Sequence, residues 1–128
     1  MKYTHESEVE GIRTPEPNPR TLKHLAAPWT IGSEKLWVGL SEVDPGSESN
    51  AHSHARNEEV FYVVSGEGYI VVGDERRAVS AGSVVVAPPG QKHQLQNPGN
   101  ETLKIVCAAS PAFVKEDFDV VHNLDEED

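Results

Sequence analysis

Short apolar and β-branched runs, each closed by a turn signal, make up most of the chain between Leu36 and Ala109. The intervening turns are rich in glycine, proline and asparagine, which end a strand or reverse its direction. The runs predicted as strands are Leu36 to Val43, Glu59 to Val64, Tyr69 to Val72, Arg76 to Val79, Ser83 to Ala87, His93 to Gln96 and Thr102 to Ala109. Strands this short at such regular spacing predict an all-β sandwich or barrel.

Both ends of the chain depart from this pattern. Residues 1–20 are polar, and Pro15, Pro17 and Pro19 stand at alternate positions. Proline lacks an amide donor and biases its predecessor toward extended backbone, so we predict an extended N-terminal arm over residues 1–20. A barrel over residues 21–114 follows. We expect residues 115–128 to form an acidic C-terminal tail with a short helical turn, within a segment from about Pro111 to His122.

The charge balance restricts the partners. The 21 Asp and Glu residues outnumber the 11 Lys and Arg residues, giving a net charge of −10. Nucleic acid and anionic membranes would be repelled, which leaves a small molecule as the expected ligand. No run approaches the roughly 20 apolar residues of a membrane-spanning helix, and the N-terminus lacks a secretory pattern. We therefore expect a cytoplasmic protein, with the single cysteine, Cys107, as a buried and inert thiol.

A His-x-His pair carries the first part of the candidate chemistry. His52 and His54 are two residues apart, so on a strand both imidazoles leave the same face. Glu59 has the opposite parity to the two histidines, so a turn or bulge within residues 55–58 must reset the alternation of side chains. On distance alone either Glu58 or Glu59 reaches the same point. We prefer Glu59, because it lies on the predicted strand and Glu58 is free for the turn.

A third histidine arrives from a distant part of the chain. Pro88 and Gly90 form a rigid turn directly before His93, which aims its imidazole at a fixed point. Three imidazoles and one carboxylate are a ligand set for one divalent transition metal ion, and Mn, Fe, Ni and Zn all stay open as its identity. Since imidazole must be neutral to ligate, metal affinity should fall as the pH drops toward about 6 and below. The histidines without such a context, expected to be exposed to solvent, are His5, His24 and His122.

The strand parity also predicts the pocket around these ligands. Phe61 and Val63 share the face of Glu59, whereas Leu95 and Asn97 share the face of His93. The residues predicted to line the pocket are therefore Phe61, Val63, Leu95 and Asn97. A mostly apolar pocket suits a small or aromatic acid or carbonyl better than a polyhydroxylated sugar. Lys92 and Arg56 are candidate anchors for an anion at its mouth, although a solvated surface role is favoured for both.

The two spaced motifs together resemble those of the cupin superfamily. The residues that carry the resemblance are Gly46, His52, His54, Glu59 and Gly66 in the first motif, and Gly82, Pro88, Gly90, His93 and Asn97 in the second. The resemblance covers about Leu36 to Ala109 and implies a double-stranded β-helix, or jelly-roll, barrel. It also implies that His52, His54, Glu59 and His93 bind the metal. Single-domain members commonly dimerise by exchanging edge strands, so we expect a homodimer.

Resemblance to this superfamily does not decide the reaction, because its members include enzymes of several classes as well as binding proteins. The first hypothesis is a metal-dependent enzyme, a dioxygenase or a lyase or isomerase, acting on a small carbonyl or carboxylate metabolite. The alternative is a non-catalytic cupin that binds or senses a sugar or carboxylate. The sequence assigns no acid–base residue for either.

Overall fold

Two antiparallel β-sheets and one short α-helix make up the structure, a computed structural model that describes residues 1–124. The strands are β1 (Ile12–Arg13), β2 (Arg20–Ala26), β3 (Trp37–Val43), β4 (Glu58–Ser65), β5 (Glu67–Val72), β6 (Glu75–Ser80), β7 (Val84–Ala87), β8 (His93–Gln96) and β9 (Leu103–Ser110). The larger sheet has the order β1-β2-β3-β9-β4-β7, and the smaller has the order β6-β5-β8. The predicted all-β, jelly-roll fold is confirmed.

The core lies between the sheets and follows the period of two expected for strands with one buried face. On β4, Glu59, Phe61 and Val63 are buried, whereas Tyr62 and Val64 are exposed. Buried apolar residues of β5, β6, β8 and β9 join the same hydrophobic cluster. The alternation therefore places Glu59 and Phe61 together in the interior.

Strand β2 is the longest element that the hydrophobic pattern did not predict. Its inward-facing residues are Arg20, Leu22 and His24, all buried, and they alternate with the partly exposed Thr21 and Lys23. Two of the three inward positions thus carry polar side chains, which conceals the period of two. The expectation that His24 is exposed was wrong, because the strand turns its imidazole into the core.

The chain ends pack onto this framework. A 3-10 helix covers Glu6–Glu8, and β1 adds an edge strand to β2 within the segment predicted as an extended arm. Helix α1 (Lys115–Val121) lies where a helical turn was predicted, and its Phe118 is buried in the core cluster. The acidic run over residues 125–128 lies outside the described residues. Within residues 1–124 no helix is long and apolar enough to cross a membrane.

Candidate metal centre

A two-way main-chain contact brings the distant histidines together. The amide of His52 donates to the carbonyl of His93 (3.2 Å), and the amide of His93 donates to the carbonyl of His52 (2.8 Å). The two residues form an isolated antiparallel bridge outside the named strand pairs. Their ring centroids lie 4.5 Å apart as a result.

The turn before β8 is hydrogen-bonded to the main chain of His54. Gly90 adopts φ +81°, in the left-handed region that glycine tolerates best. Its amide donates to the carbonyl of His54 (2.9 Å), so the turn that orients His93 is anchored beside His54. The proline-glycine turn therefore sets the position of His93 relative to His54. The sequence predicted that this turn orients His93 but not that it contacts His54.

The three imidazoles and one carboxylate converge on one point. Nitrogen atoms of His52, His54 and His93 all lie within 4.8 Å of one another. Oε1 of Glu59 lies 3.6 Å from Nε2 of His54 and 3.4 Å from Nε2 of His93. Glu58, the other carboxylate that the spacing allowed, is exposed on the opposite face of β4.

The buried atoms of this cluster lack hydrogen-bond partners. Nε2 of His54, Oε1 of Glu59 and Nε2 of His93 are all buried, and none makes a hydrogen bond in the described part of the chain. A buried polar atom without a partner is costly unless something else satisfies it. Ligand atoms at about 2.1 Å from a shared ion lie roughly 3.0–3.5 Å apart, and the separations of Glu59 Oε1 from the two Nε2 atoms, 3.4 and 3.6 Å, are close to this range. The donor set thus fits a divalent ion, and the three histidines can hold one.

Main-chain carbonyls are hydrogen-bonded to the Nδ1 atoms of two of these rings. Nδ1 of His52 lies 2.9 Å from the carbonyl of Asn50, and Nδ1 of His93 lies 3.3 Å from the carbonyl of Gln91. A carbonyl only accepts, so each Nδ1 carries the hydrogen. The Nε2 lone pair of each ring is thereby left for an ion.

Burial keeps these imidazoles neutral. Burial, followed by repulsion from His93, lowers the pKa of His54 to about 4. The same two causes, in the same order, lower the pKa of His52 to about 2. Neutral imidazoles are the form that binds a metal. An ordinary imidazole pKa near 6.5 predicted that acid would weaken metal binding from about pH 6, and the lowered pKa values of His52 and His54 move that limit to lower pH.

A small cavity adjoins the cluster. The residues that line it are Arg20, Leu22, Trp37, Leu40, Ser41, Ser49, His52, Glu59, Phe61, His93, Leu95, Cys107, Phe118 and His122. The volume open to the centre of a water molecule is about 20 Å³, so the cavity has room for one or two waters. Most of its exposed wall is apolar. The cavity therefore suits a ligand of few atoms.

The residues predicted to line the pocket divide into two pairs. Phe61 and Leu95 line the cavity. Val63 is buried in the hydrophobic core, and Asn97 lies among backbone carbonyls. The Asn97 side-chain amide donates to the carbonyls of residues 43 (2.9 Å), 44 (3.2 Å) and 101 (2.7 Å). Strand parity placed Asn97 inward, but its position near the end of β8 gives it loop carbonyls as partners.

His122 contributes a side of the cavity that sequence reasoning missed. It was expected to be exposed, but it is buried and its ring lies 4.3 Å from that of His52 between centroids. It stacks on Phe118 at 3.9 Å, and its Nδ1 lies 2.8 Å from the Phe118 carbonyl. Residues four apart share a helix face, so the spacing of Phe118 and His122 was the available signal. The exposed assignment was wrong because α1 packs over the barrel.

Two other expectations concern the remaining polar groups. Cys107 is buried as predicted, and burial raises the pKa of its thiol well above the usual value. Lys92 and Arg56 are both exposed, in keeping with the favoured surface role. Arg20, which the sequence reasoning did not single out, is the cation that lines the cavity.

This chain is similar to known proteins both in its sequence and in its fold. The family model described as the cupin domain matches residues 39–109. The chain is 33% identical over 100 residues to an uncharacterized protein of Methanocaldococcus jannaschii, covering 78% of this chain and 80% of that protein. It is 29% identical over 110 residues to polyketide synthase CurC of Streptomyces cyaneus, covering 84% and 71% respectively. A crystal structure of a predicted oxalate decarboxylase from Thermotoga maritima aligns with a TM-score of 0.76 at 21% identity, covering 85% of this chain and 98% of that chain, a likeness of fold alone.

Proposed function

The chain belongs to the cupin family, and we propose that it is a metal-dependent enzyme acting on a small carbonyl or carboxylate metabolite. In this proposal one divalent transition metal ion is held by His52, His54, Glu59 and His93. The observation that carries the proposal is a set of three buried atoms with no hydrogen-bond partner in residues 1–124: Oε1 of Glu59 and, 3.6 Å and 3.4 Å from it, Nε2 of His54 and Nε2 of His93. An ion bound to all three would offset the free-energy cost of burying them.

The chemistry follows from the ligand set and the cavity. A divalent ion held by these four residues would supply Lewis-acid chemistry to a carbonyl or carboxylate oxygen. The chain's own contribution is to orient the substrate and to exclude water. Phe61, Leu95 and Trp37 supply apolar surface to the cavity wall. A dry wall of this kind strengthens every electrostatic interaction inside the site.

The size of the cavity selects among substrates. Room for one or two water-sized molecules beside the cluster favours a ligand of few heavy atoms over a sugar or an aromatic polyketide. One sequence relative, an oxalate-binding protein of Thermotoga maritima that is 25% identical over 86 residues, binds a small carboxylate. This favours the carboxylate class for this chain.

The test compares metal content and turnover in matched variants. His93→Ala removes one proposed ligand, and His5→Ala removes an exposed imidazole outside the cluster as its control. We expect about one equivalent of divalent ion in the natural protein and in the control, and little in His93→Ala. Product formation and oxygen uptake with small carbonyl acids are then measured with and without the ion. Turnover by metal-free protein, or full metal content in His93→Ala, contradicts the proposal.

A binding or sensing cupin is the second candidate function. The observation that favours it is the enclosed cavity, in which burial lowers the pKa of His122 well below its usual value and raises that of Cys107. Neither group is poised to exchange a proton near neutral pH. This candidate requires saturable ligand binding with no product under either air or argon. Any product that depends on the metal decides for the enzyme.

The expected homodimer has one supporting feature. On adjacent strands β4 and β7, Tyr62, Val64, Val84 and Val86 are exposed on the outer face of the large sheet. Burying this apolar strip against a second copy would remove it from water. Light scattering on the natural protein and on Val84→Lys tests the idea, since the lysine should shift a dimer toward monomer. A monomeric natural protein contradicts it.

A further inference from the structure

Arg20 is buried in a place where arginine is rarely found. It begins β2, its side chain faces inward, and only 2% of its surface is exposed. It lines the same cavity as His52, Glu59 and His93. Burial lowers its pKa to about 10, so the guanidinium remains charged at neutral pH.

The guanidinium is held in place by one neutral contact. A terminal nitrogen donates to Oδ1 of Asn50 (3.1 Å), and the Asn50 amide donates to the carbonyl of Val121 at the end of α1 (2.6 Å). The carbonyl of Asn50 accepts from Nδ1 of His52 (2.9 Å). One asparagine thus orients the arginine, the helix end and a histidine of the metal cluster.

One buried donor of Arg20 has no acceptor among the described residues. Its Nε is buried and makes no hydrogen bond, and within residues 1–124 the guanidinium forms no ion pair. Glu59 is the carboxylate of the same cavity, and its Oε1 lies beside the imidazoles of His54 and His93. A buried charge of this kind needs an opposite charge and filled hydrogen bonds. A ligand is the partner that the cavity admits.

We propose that Arg20 is a binding residue for a small carboxylate anion that enters this cavity beside the metal cluster. The inference rests on the proposed function, because it assigns the substrate class of the same site. The planar fork of arginine matches the two oxygens of a carboxylate. A cavity of this size admits a carboxylate of a few atoms, and its apolar wall offers little to a hydroxyl-rich ligand. The exposed Lys92 and Arg56 are not needed for this recognition.

The test measures binding by calorimetry with formate and with its neutral amide, formamide, as the probes, because three heavy atoms suit a cavity of this size. These two compounds have the same shape but differ in charge, so their difference isolates the anion contact. Arg20→Gln removes the charge, and Arg20→Lys keeps a charge without the fork. Arg77→Gln, which neutralises an exposed arginine of β6, is the matched control. Each protein is titrated both loaded with Mn²⁺ and after chelator treatment.

We expect the natural protein and Arg77→Gln to prefer formate, and Arg20→Gln to bind formate roughly 10-fold or more weakly while its formamide binding is unchanged. Metal content should be equal in all four proteins. If Arg20→Gln fails to fold, the weakened formate binding expected of Arg20→Lys decides. Equal formate affinity in the natural and Arg20 proteins, or no binding at all, overturns the inference even where metal binds. Arg20-dependent binding in a protein that takes up no metal would sustain the inference and reject the metal-dependent function.

Discussion

Nε1 of Trp37 donates a hydrogen bond to Nδ1 of His24 across 3.0 Å in the buried space between β2, β3 and α1. The acceptor nitrogen carries no hydrogen, so Nε2 of His24 holds the proton of the neutral ring. That Nε2 is buried and makes no hydrogen bond in residues 1–124. The bond therefore exists only while His24 is neutral.

Acid should destabilise the protein through His24. Burial lowers the pKa of His24 to about 4, whereas an unfolded histidine titrates near 6.5. Between these two pH values the unfolded state binds more protons than the folded state. The stability that neutral His24 gives the folded protein is therefore fully present above about pH 6.5 and is lost as the pH falls toward about 4. The loss from this residue is at most roughly 3 kcal/mol. Urea unfolding followed across that range measures it.

His24→Gln isolates this contribution, because its amide oxygen offers Trp37 an acceptor that does not titrate. We expect a shallower dependence of the unfolding free energy on pH than in the natural protein. His5→Gln, at an exposed histidine, should leave the slope unchanged. An equal slope in His24→Gln and the natural protein would contradict the assignment, since His52 and His54 are present in both.

Gly39 is required by the same tryptophan. A Cβ at Gly39 would overlap ring atoms of Trp37, and the ring is fixed by His24 and by edge contacts to Phe113. Gly39→Ala should destabilise the protein by about 1–3 kcal/mol through overpacking. Gly99→Ala is the control, because its Cβ would meet only an ordinary contact. Chemical denaturation of both variants measures the difference, and equal midpoints would contradict it.

Glu59→Gln tests the carboxylate ligand with little change of shape. Removing a residue that hydrogen-bonds to a metal ligand costs about 10–100-fold in metal affinity. Loss of the charge of a ligand itself should therefore cost roughly 100-fold or more. Competition with a chromophoric chelator gives that affinity. Glu58→Gln, on the exposed face of β4, should bind metal as the natural protein does. Equal weakening by the two substitutions would remove Glu59 from the ligand set.

Asn50→Ala should separate the anion contact from the metal contact. The substitution removes the acceptor of Arg20 and the donor to Val121, but it retains the carbonyl that holds His52. We expect weaker formate binding, unchanged metal content and a loss of about 1–3 kcal/mol in unfolding free energy from the unpaired groups. Calorimetry and thermal unfolding report the two effects. Loss of metal with unchanged formate binding would reverse this division of roles.

Much of the fold was predictable because strand burial is a local property. On β4 the alternation of Glu59, Phe61 and Val63 with exposed Tyr62 and Val64 follows from backbone geometry alone. The convergence of His52, His54 and His93 was also predictable, since residue type and spacing carry it. The role of Glu59 as their fourth partner stays a prediction.

Tertiary structure decided what surrounds those residues. The sequence by itself determined an all-β chain with three histidines that meet, because alternation and motif spacing are written in neighbouring positions. It did not determine that Arg20, His24 and His122 are buried, since polar residues on a strand or a short helix look like a solvated face. Their burial depends on α1 packing over the barrel and on β2 joining β3, contacts between segments far apart in the chain. The cavity with its buried arginine is therefore a property of the assembled fold.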